Sequence, residues 1–289
     1  CGTSIGGIIA LGLAKGLTAR EILQTMLTHR LTIFPKKTSW LTNIERLFHP
    51  LYKSQPLEDV LELLFQAATI GELDKYVLVP AISLTNGQIR AFKTPHHPHL
   101  RTDHKLSLVD VALATSAAPT YFPVHQIENE RFVDGGLAAN SPVLMGLVEA
   151  QYYLGRSLSD LYVMQVGTMG SRHTSDHSEK RTGGYGKTWE MGKGIIDLAM
   201  STTETLHNFL AGKMLEHSHR LLSIDEMPLE KKASILALDN ASEQAMEILQ
   251  ASAHKVAMEQ INAPNFEQFM NHTAKRPAFY YGPKKTEEA

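Results

Sequence analysis

The chain has 289 residues, a formal net charge of -2, 43% hydrophobic and 20% charged residues, a balance that suits a globular protein with one full core or two small ones. That balance offers no broad basic face for nucleic-acid polymers, and no apolar run approaches the roughly 18 residues that a membrane-crossing helix needs. Cys1 is the only cysteine, so no intramolecular disulfide forms, which suits a reducing compartment.

The sequence opens at Cys1-Gly2-Thr3-Ser4 without an initiator Met, inside a motif, and reads as a piece of a longer protein. Ser4 to Lys15 has helical periodicity with Ile5, Ile8, Ile9, Leu11 and Leu13, and Gly16 closes it. Thr18 with Glu21 predicts a capping box opening a second helix to about Leu31. Ser54 before Pro56 opens another, with Leu57, Val60, Leu61, Leu64 and Phe65 inward. Tyr76 to Leu84 is strand-like, and Asn86-Gly87 predicts a two-residue hairpin turn into Ile89 to Phe92. Leu108 to Thr115 is a short helix, Arg131 to Val133 a strand, and Asn140-Ser141-Pro142 starts a helix to about Leu154. Leu161 to Val166 reads as a buried strand, Ser171 to Gly186 as a mobile loop, and Arg220 to Ile224 as a strand between long helices near Thr188 to His217 and Ala241 to Ile261.

This pattern gives one domain over 1–289, with a motif-bearing core at 1–170, a helical part at 188–262 and a polar, peripheral tail at 264–289. Strands alternating with helices argue for a three-layer α/β/α domain.

Two motifs carry chemistry. Gly2-Thr3-Ser4-Ile5-Gly6 fits G-x-S-x-G, the nucleophile elbow, followed at once by Gly7 and a helix. A serine on a sharp strand-to-helix turn has strained backbone angles, flanking side chains would collide, and the helix start favours a negative oxygen. The plainer account of the same residues is a small-residue helix start. Asp134-Gly135-Gly136 places a carboxylate at a strand end, on a tight turn that leaves its oxygens uncovered and able to serve as a general base. The plainer account is an ordinary D-G turn.

Together the segments resemble the patatin family. Gly2 to Gly7 with Ile8-Ile9-Ala10 resembles the patatin nucleophile segment. Ala114-Thr115-Ser116-Ala117-Ala118-Pro119-Thr120-Tyr121-Phe122-Pro123 resembles the stretch before the catalytic aspartate. Phe132 to Pro142 resembles the D-G-G segment with its downstream Asn and Pro. The likeness covers residues 1 to about 170. It implies a patatin-like α/β/α fold with a central, mostly parallel sheet, and a Ser4–Asp134 dyad cleaving fatty acyl esters of membrane phospholipids without metal or cofactor. Gly2, Ile5, Gly6, Gly135 and Gly136 shape the two turns. It also implies a first strand and a glycine-rich oxyanion segment upstream of Cys1, absent from this chain, without which the chain is expected to hydrolyse poorly.

The build further resembles bacterial patatins that act as nucleotide-activated antiphage effectors, which implies a cyclic nucleotide activator and a cytoplasmic protein working at the membrane surface. Rival readings are a soluble carboxylesterase with a Ser-His-Asp triad, drawing on His125, His207 or His217, and a silent lipid- or nucleotide-binding module. His96, His97 and His99 read as a solvated loop rather than a metal site. The stripe Ile195, Leu198, Ala199, Thr202, Leu206, Phe209 and Leu210 reads as packing against the sheet rather than a lipid face, and Trp189 with Met191 as a lid.

Overall fold

The computed structural model describes residues 1–35, 49–169, 193–215, 220–226 and 235–286. Trp189, Met191, His217 and the loop at 171–186 lie outside the described residues. Contacts divide the chain into two compact units.

The first unit holds helices α1 (Ile5–Lys15), α2 (Ala19–Ile33) and α3 (Gln55–Phe65), then strands β1 (Leu78–Ser83) and β2 (Gln88–Lys93). It continues with α4 (Leu108–Ser116), β3 (His125–Ile127), β4 (Glu130–Asp134) and the single turn α5 (Gly136–Ala139). Gly16 takes φ 99°, the left-handed closure of α1. The Thr18–Glu21 capping box forms in both directions at the start of α2. The five apolar residues predicted for α3 are all buried. Every residue of α4 except Asp110 is buried, so this short helix, apolar apart from Asp110 and its hydroxyls, runs through the core. It packs with α1, α3, β1 and β4.

The four strands are ordered β2-β1-β4-β3, giving a mixed helix-and-sheet fold around a central sheet, consistent with the α/β/α class. The expected mostly parallel pairing is not found in this sheet. All three of its ladders are antiparallel; for β1–β2 and β3–β4 the reason is a short connecting loop that leaves no room for a crossover. The β1–β2 loop is Leu84–Gly87 between the paired Ser83 and Gln88, four residues rather than two. In it Gly87 has a positive φ and Asn86 does not, so the primed two-residue turn is not what forms.

The second unit holds helix α6 (Val143–Tyr152), strand β5 (Val163–Val166), strand β6 (Leu221–Ile224), helix α8 (Glu243–Ile261) and helix α9 (Pro264–Met270). Its core gathers Val143, Leu147, Ala211 and Leu215, with Val163 and Leu221 against them. Strands β5 and β6 pair in parallel. The predicted burial of β5 fails: its residues are half-buried, and Val166 is exposed, since among the described residues β5 has one neighbour strand.

Helix α7 (Lys193–Met214) begins in the first unit and ends in the second. Its predicted inward stripe is a correction: Ile195, Leu206, Phe209 and Leu210 are 38–56% exposed. The helix is instead buried at Gly194, Ala211 and Gly212, where small residues allow close approach.

The tail was expected to be peripheral, yet 276–286 docks on the first unit. Phe279 is buried and meets Tyr76 edge-on at 5.6 Å. The Tyr280 amide donates to Pro95 O at 2.7 Å, and the Tyr281 hydroxyl to Pro98 O at 2.8 Å. The histidine loop is therefore solvated only in part: His99 is exposed, as expected, while His96 and His97 meet other parts of the chain. His96 is buried, hydrogen-bonded through Nδ1 to Thr94 Oγ1 and packed on Tyr76; His97 faces Tyr280. Phe279→Ala should lower the stability of the protein by about 3 kcal/mol, read from urea unfolding; a change below about 1 kcal/mol would show that the tail is not anchored there.

Candidate active site

Ser4 sits where the chain turns from an extended segment into α1. The Gly2 amide donates to Leu78 O at 3.2 Å, laying the segment against the start of β1. Ser4 itself adopts φ 54°, ψ -125°, a region L-residues avoid at a cost of roughly 1–3 kcal/mol. If Ser4 were an ordinary helix cap, its oxygen would accept from an amide of the first turn. It makes no such bond; the Gly6 and Gly7 amides donate to the Thr3 and Ser4 carbonyls. The hydroxyl therefore plays no part in capping the helix.

Steric exclusion holds at Gly2, where a Cβ would lie 2.0 Å from Gly6 O, and at Gly7, where it would lie 2.8 Å from Thr115 Cγ2. It does not hold at Gly6, whose Cβ position has nothing within 4 Å. The space beside Gly6 is open, and Ile5 follows Ser4 at the position whose amide would serve a nucleophile elbow as an oxyanion donor.

Asp134 ends β4. Its amide donates to Ala117 O at 3.0 Å, and its Oδ1 accepts from the Gly136 amide at 2.7 Å. Gly135 is required here, since a Cβ would fall 2.3 Å from Pro80 O. The expectation that the turn leaves the carboxylate uncovered is wrong: Asp134 is 1% exposed. The first-unit part of α7 covers this turn. Met200 Cε would lie 2.6 Å from a Cβ on Gly136, Thr203 Oγ1 donates to Gly136 O at 3.5 Å, and Asn140 Nδ2 donates to Glu204 Oε2 at 2.7 Å.

Burial drives the Asp134 pKa up from 3.8 to about 6, opposed by the Ser4 hydroxyl and the Gly136 amide. The Ser4 hydroxyl is close enough to bias the carboxyl as a donor. Oδ2 nevertheless closes no hydrogen bond of standard geometry in the resting structure; such contacts tighten when substrate binds. His125 points elsewhere, with its Nε2 3.1 Å from Asp110 Oδ1. Among the described residues no group of three metal-ligating side chains converges.

Several contributors were not singled out from sequence. Thr115 accepts from the Ser4 amide at 3.0 Å and donates to Pro80 O at 2.6 Å. The Thr3 hydroxyl donates to Ala139 O at 2.6 Å, tying the elbow to the turn after Asp134. Thr115 was visible as a hydroxyl inside an otherwise apolar helix; Met200, Thr203 and Glu204 left no local signal.

A serine on a strained elbow from extended chain into helix, its hydroxyl beside a buried, weakly acidic carboxyl, has the arrangement that acyl hydrolysis by a serine requires. The family profile of patatin-like phospholipases matches residues 1–147. A cGAMP-activated phospholipase of Escherichia coli (strain TW11681) is 39% identical over 269 residues, covering 89% of this chain and 76% of that protein. Another so described, from Pseudomonas aeruginosa (strain BWHPSA011 / Pa011), is 36% identical, covering 99% and 85%. A third, from Vibrio cholerae, is 35% identical, covering 90% and 78%. The chain belongs to the patatin-like phospholipase family and is a hydrolase.

Two outcomes follow from the position of Asp134. A base must be ionised, so kcat/KM should rise with pH to a plateau with a midpoint at about 6; a profile flat from pH 5 to 8 would exclude Asp134 as the titrating group. Folding, in turn, retains a proton that the unfolded chain has already lost between the ordinary carboxylate range and about 6. Stability therefore falls as pH rises through that window and levels off above it, the loss being about 3 kcal/mol. Asp134→Asn, which retains an acceptor for the Gly136 amide, should be inactive yet at least as stable as the parent at pH 7. A marked fall in Tm would make Asp134 a structural residue instead.

Proposed function

We propose that this hydrolase cleaves fatty acyl esters of membrane phospholipids with Ser4 as nucleophile and Asp134 as base, and that a cyclic nucleotide switches it on as an effector of antiphage defence. The observation that carries the reading is the Ser4 hydroxyl, free of any capping bond on its strained elbow, beside a buried carboxyl whose pKa is raised to about 6.

In this mechanism Ser4 Oγ attacks the ester carbonyl as its proton passes to Asp134. The tetrahedral oxyanion develops at the start of α1, where the Ile5 amide and the helix dipole favour negative charge. Collapse expels the lipid alcohol, which takes the proton from Asp134 and leaves the fatty acyl group on Ser4. Water, with Asp134 again accepting a proton, then releases the fatty acid and restores the hydroxyl. Every proton is accounted for by the dyad and water.

The raised pKa favours a carboxylate acting without an imidazole, because a base works best with a pKa near the working pH. His125 is paired with Asp110 rather than with the dyad. Beyond Ser4, the outer face of α1 exposes Ile5, Ile9 and Leu13 at 37–46%, an apolar strip suited to a substrate drawn from a lipid interface. No described helix is long and apolar enough to cross a membrane, and on this reading the protein works from the cytoplasm at the membrane surface. Control by a nucleotide rests on the three relatives described as cGAMP-activated.

The test is hydrolysis of phospholipid vesicles with and without cGAMP. The parent should be stimulated at least tenfold by cGAMP and should prefer vesicles to butyryl esters, while Ser4→Ala is inactive in every condition. Activity of Ser4→Ala within tenfold of the parent would remove Ser4 as nucleophile, and indifference to cGAMP would remove the nucleotide switch.

A further inference from the structure

Taking Ser4 as the nucleophile, we propose that Thr115 is a positioning residue that sets the geometry of Ser4 against Asp134, through a hydroxyl relay ending on the carbonyl of Pro80. The relay is complete: the Ser4 amide donates to Thr115 Oγ1 at 3.0 Å, and that hydroxyl donates to Pro80 O at 2.6 Å. Thr115 is fully buried, so no water competes for either bond.

Its place in the fold gives the relay leverage. The bond to the Ser4 amide acts on the torsion that is strained, φ at 54°, and a free amide would let the elbow relax toward an ordinary backbone conformation. The far end of the relay lies beside the base. Gly135 approaches the same Pro80 carbonyl so closely that a Cβ would lie 2.3 Å away, and Ala81, the next residue in β1, is paired with Asp134. Two residues beyond Thr115, the Ala117 carbonyl receives the Asp134 amide at 3.0 Å. Nucleophile and base are therefore referred to one strand position and one helix end. The Thr115 methyl also packs on the elbow, its Cγ2 2.8 Å from a Cβ placed on Gly7, so hydroxyl and methyl have separable roles.

A misplacement on the order of 1 Å can reduce turnover about a hundredfold. Thr115→Val keeps the methyl and removes the hydroxyl; it should lower kcat 10- to 100-fold, with KM within about threefold and the pH midpoint near that of the parent. Thr115→Ser keeps the hydroxyl and should recover at least a third of parental kcat. Thr94 supplies a matched control: it is equally buried and its Oγ1 accepts from the Val77 amide at 2.9 Å, away from the site. Thr94→Val should lose comparable stability in thermal melts while retaining kcat.

Labelling of Ser4 by a fluorophosphonate, followed by mass spectrometry, separates this inference from the one beneath it. Parent protein unlabelled at Ser4 would overturn the nucleophile assignment. A labelled parent with Thr115→Val labelled at the same rate would overturn the relay alone. So would failure of Thr115→Ser to recover activity, or equal losses in Thr115→Val and Thr94→Val. Should Thr115→Val not fold, Thr115→Ala with its Ser counterpart gives the same contrast.

Discussion

The carbonyl of Pro80 is the point about which the site is assembled. It lies in β1, between β2 and β4, and takes the Thr115 hydroxyl at 2.6 Å while Gly135 presses against it. Three segments meet there: the elbow through Thr115, the end of α4, and the turn after Asp134. Each tolerates the crowding by a different means. The elbow does so with glycines at 2 and 7, α4 with small residues near its end, and the base turn with Gly135. Pro80 itself has no amide to leave unpaired.

Most of the first unit was legible in the sequence because its signals are local. Apolar spacing placed α3 with all five inward residues, and the Thr18–Glu21 pair fixed the start of α2. Pairing direction was not local. The family likeness led to an expectation of parallel strands, but short loops on both sides of the sheet impose antiparallel ladders. Asn86-Gly87 misled in a smaller way, since a left-handed Gly87 also closes a four-residue loop. The stripe on α7 shows the limit of periodicity. An apolar face states that a helix can be buried there, whereas burial went to glycines and Ala211, which let the backbone come closer. Likewise the tail's polar composition concealed Phe279 and its tyrosines, whose partners are nearly 200 residues away.

In the site, residue identity was legible and environment was not. The order and spacing of the elbow and the D-G-G turn pointed to Ser4 and Asp134, and the sheet brings the two together. Of the glycines flanking Ser4, Gly2 is required by crowding and Gly6 is not, because a pattern records which residues occur and not what surrounds them. The larger error was to take Asp134 as uncovered. A turn looks open when read along the chain; it is closed by Met200 and by the Asn140–Glu204 contact on a helix some 60 residues later.

That closure determines the chemistry. An exposed aspartate has a pKa near 3.9, and at neutral pH would take up a serine proton only to a very small extent. Burial raises Asp134 to about 6, narrowing the gap by about two decades. The same burial destabilises the ionised folded state by about 3 kcal/mol, and the positive φ of Ser4 adds roughly 1–3 kcal/mol of strain. A domain with ordinary stability of about 5–15 kcal/mol can hold both only if the surroundings are rigid. That accounts for the character of the supporting contacts. Thr115 is fully buried in a helix that runs through the core, Thr3 ties the elbow to the turn after the base, and the Gly136 amide holds one oxygen of Asp134. The other oxygen closes no hydrogen bond of standard geometry, while the Ser4 hydroxyl is near enough to the carboxyl to lower its pKa. A site optimised for stability alone would have closed that bond or replaced the carboxylate. On the proposed mechanism, leaving it open keeps an acceptor ready for the proton that Ser4 must give up.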